Sequence, residues 1–210
     1  TEIPDRTVGT TATDLNTIDL GREIAAALMT RTGRTAYLIV SHLKRTKLDP
    51  NREVVEGAAG NAAAITAWGE FQAFVDTATR AAVARHGFAV YIDLHGHGHP
   101  VARLELGYLL SAATLNLGDA QLNAGYLAGS SLRTLPPLQR PFAEILRGET
   151  SLGGMLAARG FPAVPSPAMP SPGIDPYFDG GYNTSRHTLN QVVGLQIESH
   201  YAGVRDSDAN

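Results

Sequence analysis

The sequence predicts an α/β sandwich built on a mostly parallel sheet. The main observation is that short apolar runs of strand length alternate with longer segments of helical periodicity. A second observation is that the clearest strand follows the longest helical segment after a single glycine. Strands joined by helices in this way are typical of parallel sheets.

The helical segments have recognisable ends. Residues 17–31 carry apolar side chains on one face, and Gly33 follows as a stop signal. Residues 61–86 repeat apolar side chains at three- and four-residue steps, and Gly87 follows as a typical C-cap. Two or three short helices are expected within residues 118–160.

Four strands are predicted. The aromatic and β-branched run at residues 88–94 is the clearest, and apolar runs at 36–40, 104–110 and 192–198 supply the others. Residues 161–188 are rich in Pro, Gly and Ser and contain no periodic segment. Because this stretch also holds several aromatic residues, we expect an ordered loop over a binding cleft rather than a flexible linker.

Composition limits the classes of function. The chain of 210 residues is long enough for one domain with a real core. Its net charge of −3 argues against nucleic acid as the main partner. The absence of cysteine excludes disulfides and thiolate chemistry. No stretch approaches the roughly 20 apolar residues of a membrane-spanning helix, so no membrane partner is expected. The compartment and the oligomeric state, a homo-oligomer included, are left open.

Polar residues follow three of the predicted strands, at the edge where open parallel sheets bind their ligands. The stretch SHLKRTKLDPNRE at 41–53 is either a solvated loop or a carboxylate-binding site. In DLHGHGHP at 93–100, histidine alternates with glycine, as in a chelating tract. We expect one of its three imidazoles, rather than all three, to be a ligand. His95 is the best placed, with Asp93 available to orient it.

Four short motifs occur in a fixed order along the chain: RTKLDPNR at 45–52, IDLHGHG at 92–98, FDGGYNT at 178–184 and LQIE at 195–198. Together they resemble the N-formylglutamate amidohydrolase family, relatives of aspartoacylase and the zinc carboxypeptidases. The resemblance implies a three-layer α/β/α sandwich with a mixed, mostly parallel sheet, like that of the zinc carboxypeptidases and phosphorylase-hydrolases. It also implies one zinc ion and a small-molecule substrate that carries a carboxylate, such as an N-formyl or N-acyl acidic amino acid.

The resemblance also implies roles for particular residues. His95 matches a zinc ligand, and Asn51 with Arg52 matches the pair that grips the substrate carboxylate. Arg45 matches an arginine that polarises the scissile carbonyl, which agrees with the value of a cation near a developing oxyanion. Glu198 matches the general acid/base, which takes a proton from water and passes it to the leaving nitrogen. Taken by itself, Glu198 could equally be a salt-bridged end of its strand.

The match to the family is incomplete at the start of the chain. The family carries an earlier His-Gly-Gly-like turn, but no histidine precedes His42, which lies in a different segment. We therefore expect a single hydrolase-like domain over residues 1–210 that lacks its first strand and first metal-binding segment. Asp5, or alternatively Glu2, is then the acidic ligand. Tyr182 and Arg186 are expected to line the cleft and contact the substrate.

Two alternatives stay open at this point. The first is a metal-deficient binding protein that uses Arg45, Asn51 and Arg52 to hold an acidic ligand without hydrolysing it. The second is a peptidase or poly-γ-glutamate hydrolase of the same fold, in which the loop at 161–188 forms an open groove. Both alternatives keep the carboxylate-binding stretch and differ in the chemistry that follows binding.

Overall fold

The computed structural model describes residues 2–136 and 139–206. The chain divides into two units, Thr1–Gly87 and Phe88–Asn210, here called the N-terminal and C-terminal units. Each unit is described by itself. That the whole chain forms a single hydrolase-like domain stays a prediction.

The N-terminal unit contains the helices α1 (Thr17–Thr32), α2 (Val54–Ala58) and α3 (Ala62–His86). Helix α1 ends because Gly33 adopts a left-handed conformation with φ of 67° and donates its N–H to the Met29 carbonyl. Helix α3 ends in the same way at Gly87, with φ of 82°. Both long helices predicted from the sequence are confirmed, and their ends lie within one residue of the predicted ones.

The predicted strand at residues 36–40 is wrong. This run has no regular secondary structure, and Tyr37 and Leu38 are 62% and 45% exposed. An apolar run becomes a strand only when another strand pairs with it, and none does so among residues 2–136 and 139–206. The hydrophobic pattern of a segment depends only on its own side chains, so it cannot show whether another strand pairs with that segment.

The core of the N-terminal unit is small and lies beside the RTKLDPNR stretch. Leu48, Ala58 and Ala64 are buried together, with Trp68 packed against them. Leu48 immediately precedes the Asp-Pro-Asn-Arg turn, whereas Ala64 and Trp68 belong to α3. This core therefore fixes the turn against the longest helix of the chain.

The C-terminal unit is built on a mixed sheet of four strands. These are β1 (Ala89–His97), β2 (Leu104–Gly107), β3 (Ala163–Val164) and β4 (Val192–His200), in the order β1-β4-β2-β3. The pairs β1–β4 and β2–β3 are parallel, whereas β2–β4 is antiparallel. The α/β class is therefore confirmed, while the three-layer sandwich and the carboxypeptidase-like fold stay predictions.

Strands β1 and β4 run further than the sequence predicts. Strand β1 continues through His95 to His97, and β4 continues past Glu198 to His200. His95, His97 and Glu198 therefore lie inside paired strands, whereas the predicted strands ended before the two histidines and at Glu198. The pleat of the sheet therefore determines the face to which each of these side chains points.

Short helices complete the C-terminal unit. The short helices predicted within residues 118–160 are confirmed by three α-helices in the described part of that range, and further helices lie on either side of it. The apolar face of the sheet packs Leu106 and Leu195 against Leu122 and Leu146 of these helices. The described helices of this unit are α4 (Ala112–Leu115), α5 (Asp119–Gly125), a 3-10 helix (Tyr126–Gly129), α6 (Phe142–Arg147), α7 (Leu152–Ala157) and α8 (Tyr182–His187).

A helix that crosses a membrane must be both long and apolar. Within residues 2–136 and 139–206, no helix combines the length and the apolar composition needed to cross a membrane. The longest, α3, carries charged residues along its length, including Glu70, Asp76 and Arg80.

Candidate metal centre

One face of the sheet in the C-terminal unit is lined with polar residues from three strands. The register pairs His95 of β1 with Glu198 of β4, and Glu198 with Glu105 of β2. Residues paired across strands point to the same face, and so do residues two apart along one strand. The further polar members of this face are Asp93, His97, Gln196 and His200.

His97, His99 and Glu105 form a group that could hold a metal ion. One ligand atom of each lies within 4.8 Å of the other two. His99 Nδ1 lies 3.0 Å from Glu105 Oε1, while His97 and Glu105 are 4% and 0% exposed. Two imidazoles and one carboxylate are also the kind and number of protein ligands that catalytic zinc sites use.

His97 enters this group in a defined orientation. Its Nδ1 accepts the backbone N–H of His99 at 3.1 Å, and its Nε2 lies 2.8 Å from the Arg103 carbonyl oxygen. Nε2 must therefore carry the ring proton and donate it to that carbonyl. Burial lowers the pKa of His97 below its ordinary value, so the ring is neutral at neutral pH, as a metal ligand must be.

Binding of an ion requires His97 to give up one of these hydrogen bonds. Losing a neutral hydrogen bond costs about 0.5–1.5 kcal/mol, and leaving the Arg103 carbonyl without a partner costs about 1–3 kcal/mol. Structural zinc sites gain roughly 10–16 kcal/mol on binding. The gain exceeds the cost by a wide margin, so the hydrogen bonds of His97 are compatible with a metal ion at this group.

His95 and Glu198 lie beside this group on the same face. The His95 Nε2 atom is 3.3 Å from Asp93 Oδ1, which agrees with the predicted use of Asp93 to orient the ring. Gln196 donates from Nε2 to Glu198 Oε1 at 2.7 Å, and Glu198 is 6% exposed. Since Glu198 is paired with both His95 and Glu105 across the strands, a carboxylate stands next to the metal-capable group.

The arrangement of the histidines differs from the expected one. The ring centroids of His97 and His99 lie 5.1 Å apart, and both rings belong to the metal-capable group. The prediction was that only one of the three imidazoles is a metal ligand. Side chains two residues apart in an extended chain lie on the same face. Histidines that alternate with glycine can therefore converge on one site. The role of His95 as a zinc ligand stays a prediction.

Glu105 is the member of the group that sequence reasoning missed. The signal for it was present, because Glu105 is the one charged residue within the apolar run predicted at 104–110. A glutamate in the middle of a buried strand requires a partner or a function. Its proximity to His99 depends on the chain reversal between β1 and β2, which local sequence does not specify.

The Asp-Pro-Asn-Arg turn of the N-terminal unit is held by buried contacts. Asp49 Oδ2 accepts from Arg45 Nε at 2.9 Å, and Asp49 Oδ1 accepts the Asn51 N–H at 3.0 Å. Trp68 of α3 donates from Nε1 to the Arg52 carbonyl at 2.9 Å. The three residues that the resemblance assigns to substrate binding or polarisation are thus positioned by one buried carboxylate and one helix.

Other predicted site residues lie as follows. In the N-terminal unit, Asp5 is exposed and forms an ion pair with Lys47 at 2.9 Å, and hydrogen bonding to Lys47 lowers the pKa of the Asp5 carboxyl. In the C-terminal unit, Tyr182 and Arg186 belong to α8, which packs against β1 and β4. The roles of these residues in metal and substrate binding stay predictions.

Comparisons of the chain with protein-family models, with curated proteins and with solved structures find no match. The motifs of the sequence and the geometry of each unit are therefore what indicate a function. Within that geometry, the histidine and glutamate group beside Glu198 is the feature with the clearest chemical capability.

Proposed function

We propose that the chain is a metal-dependent hydrolase. The observation that carries this proposal is the position of Glu198, which is paired across the sheet with Glu105 of the metal-capable group. Metal-assisted hydrolysis needs a site for the ion and a nearby group that transfers protons. One buried polar face of the C-terminal unit offers both.

Within this class, we propose a zinc-dependent amidohydrolase that cleaves the amide of an N-formyl or N-acyl acidic amino acid, such as N-formylglutamate. The proposal rests on the order of the four motifs and on the chemistry of the residues that they contain. Asn51 and Arg52 bind the substrate carboxylate, for which arginine offers a planar fork of donors. Arg45 polarises the carbonyl oxygen, and Tyr182 and Arg186 add contacts to the substrate.

The reaction is a hydrolysis in which this chain moves one proton. When bound by His97, His99 and Glu105, the ion supplies Lewis acidity that polarises a carbonyl and promotes ionisation of water. Glu198 takes a proton from the attacking water as the new C–O bond forms. It then gives that proton to the departing nitrogen as the C–N bond breaks, leaving a carboxylic acid and an amine. His95, the ligand that the resemblance implies, lies on the same face.

The proposal predicts that amide hydrolysis depends on zinc. We expect glutamate release from N-formylglutamate, loss of that release after dialysis against a chelator, and recovery when zinc is added back. N-formyl-leucine is the matched control and should react more slowly, because it lacks the side-chain carboxylate. Release that is indifferent to chelation would contradict the metal mechanism. Binding of N-formylglutamate without any turnover would instead support the binding-protein alternative.

A further inference from the structure

We propose that Arg103 positions the metal ligand Glu105, and that the loop at residues 175–178 completes the metal site. This inference rests on the proposed metal site, and it is independent of which amide is hydrolysed. It assigns a function to part of the Pro-, Gly- and Ser-rich stretch, for which the sequence predicted only an ordered loop over a cleft.

The two oxygens of Glu105 have different partners. Oε1 faces His99 Nδ1 at 3.0 Å and Arg103 Nε at 3.5 Å. Oε2 accepts the backbone N–H of Phe178 at 2.8 Å. One oxygen is thereby directed to the metal-capable group, while the other is fixed by the loop. A carboxylate held in this way loses little freedom when an ion binds.

Arg103 also connects Glu105 to the same loop. Its side chain is 2% exposed, and its Nη2 donates to the Pro176 carbonyl at 3.0 Å, while its Nη1 lies 3.6 Å from Asp175 Oδ2. A buried carboxylate is costly unless a cation is close to it. The Arg103 guanidinium offsets that cost for Glu105 and also fixes the loop backbone.

The loop and Arg103 also contact the two histidines. The ring of Phe178 stacks on His99 with centroids 4.5 Å apart and an angle of 21° between the planes. The Arg103 backbone carbonyl is the partner of His97 Nε2. Every ligand of the group is therefore oriented by Arg103, by the loop or by both, as is usual for groups that hold metal ligands in place.

The experiment compares zinc affinity across three variants by competition with a chromogenic chelator. Arg103→Met is expected to bind zinc about 10–100-fold more weakly than the parent chain, and Arg103→Lys is expected to recover part of that loss. Arg147→Met is the matched control. Arg147 also anchors the Pro-rich stretch, through the Pro170 carbonyl at 3.1 Å, but its other hydrogen bonds go to Leu115, Leu117 and Asp119 rather than to the metal-capable group. Its zinc affinity should stay within twofold of the parent value.

A second measurement covers the case in which Arg103→Met does not fold. Hydrogen exchange of the unsubstituted chain should show slower exchange of the Phe178 amide when zinc is added, with no change at the Ala158 amide. Folded Arg103→Met with unchanged zinc affinity, or a Phe178 amide indifferent to zinc, would overturn the inference. If the unsubstituted chain binds no zinc, the metal site itself fails. Zinc binding that follows these predictions without amide hydrolysis would leave the inference standing and reject the proposed substrate.

Discussion

Replacing Asp49 by alanine is expected to lower the free energy of unfolding of the N-terminal unit by about 3–5 kcal/mol. The Asp49 side chain is 2% exposed and pairs with Arg45 at 2.9 Å and with Arg6, itself 1% exposed, at 4.0 Å. Removing the carboxylate takes a counter-ion from the buried Arg6 and from Arg45, whose other carboxylate partner, Asp14, lies 3.6 Å away. It also removes the acceptor of the Asn51 N–H, so the turn loses its internal hydrogen bond.

The loss can be measured by urea unfolding followed through the fluorescence of Trp68, the sole tryptophan of the sequence. Trp68 donates to the Arg52 carbonyl within the same turn, so it reports on this unit. Asp19→Ala is the control, because its pair with Arg22 is solvent-exposed on both sides and should contribute little. Equal stability of the Asp49 and Asp19 variants would show that the buried ion network is not what holds the turn.

Glu198→Gln is expected to reduce the turnover of an N-acyl acidic amino acid by about 10²–10⁴-fold. Glutamine keeps the size of the side chain and an oxygen that accepts from Gln196, but it cannot take a proton from water. Zinc content should therefore stay unchanged while kcat falls. Glu144→Gln, at an exposed position of α6, is the matched control and should retain full activity.

The comparison of kcat with zinc content separates two roles of Glu198. A loss of zinc in Glu198→Gln would make it a ligand, and the proton-transfer role would then be wrong. Activity within threefold of the parent chain would also reject that role. A pH profile adds a further check, because the acidic limb, which reflects protonation of the carboxylate that takes the proton, should disappear in the variant.

The helices of the N-terminal unit could be predicted because their signals are local. Gly33 and Gly87 end α1 and α3 by adopting left-handed backbone conformations. A glycine that follows a helical pattern is a known stop signal in the sequence. The run at 36–40 has equally clear local features but lacks a strand partner in the described residues. Pairing is a property of the whole fold, so this prediction was wrong.

The sequence indicated the region of the candidate site but not the set of residues that forms the metal-capable group. The sequence drew attention to the alternating histidines and to Glu198, since their residue types suit metal binding and proton transfer. The group of His97 and His99 with Glu105 depends on the sheet order, in which β4 lies between β1 and β2. No local pattern encodes that order. The strand register that places Glu198 opposite Glu105 could therefore be known only from the structure.

The zinc content of the purified chain, measured by elemental analysis beside His99→Ala and His95→Ala, tests the central claim most directly. We predict about one zinc ion per chain that is lost in His99→Ala, while His95→Ala shows whether His95 is a further ligand, as the resemblance implies. Zinc that is kept in His99→Ala and lost in His95→Ala would contradict the ligand set of His97, His99 and Glu105. Absence of zinc from the unsubstituted chain after reconstitution would contradict the metal-dependent hydrolase itself.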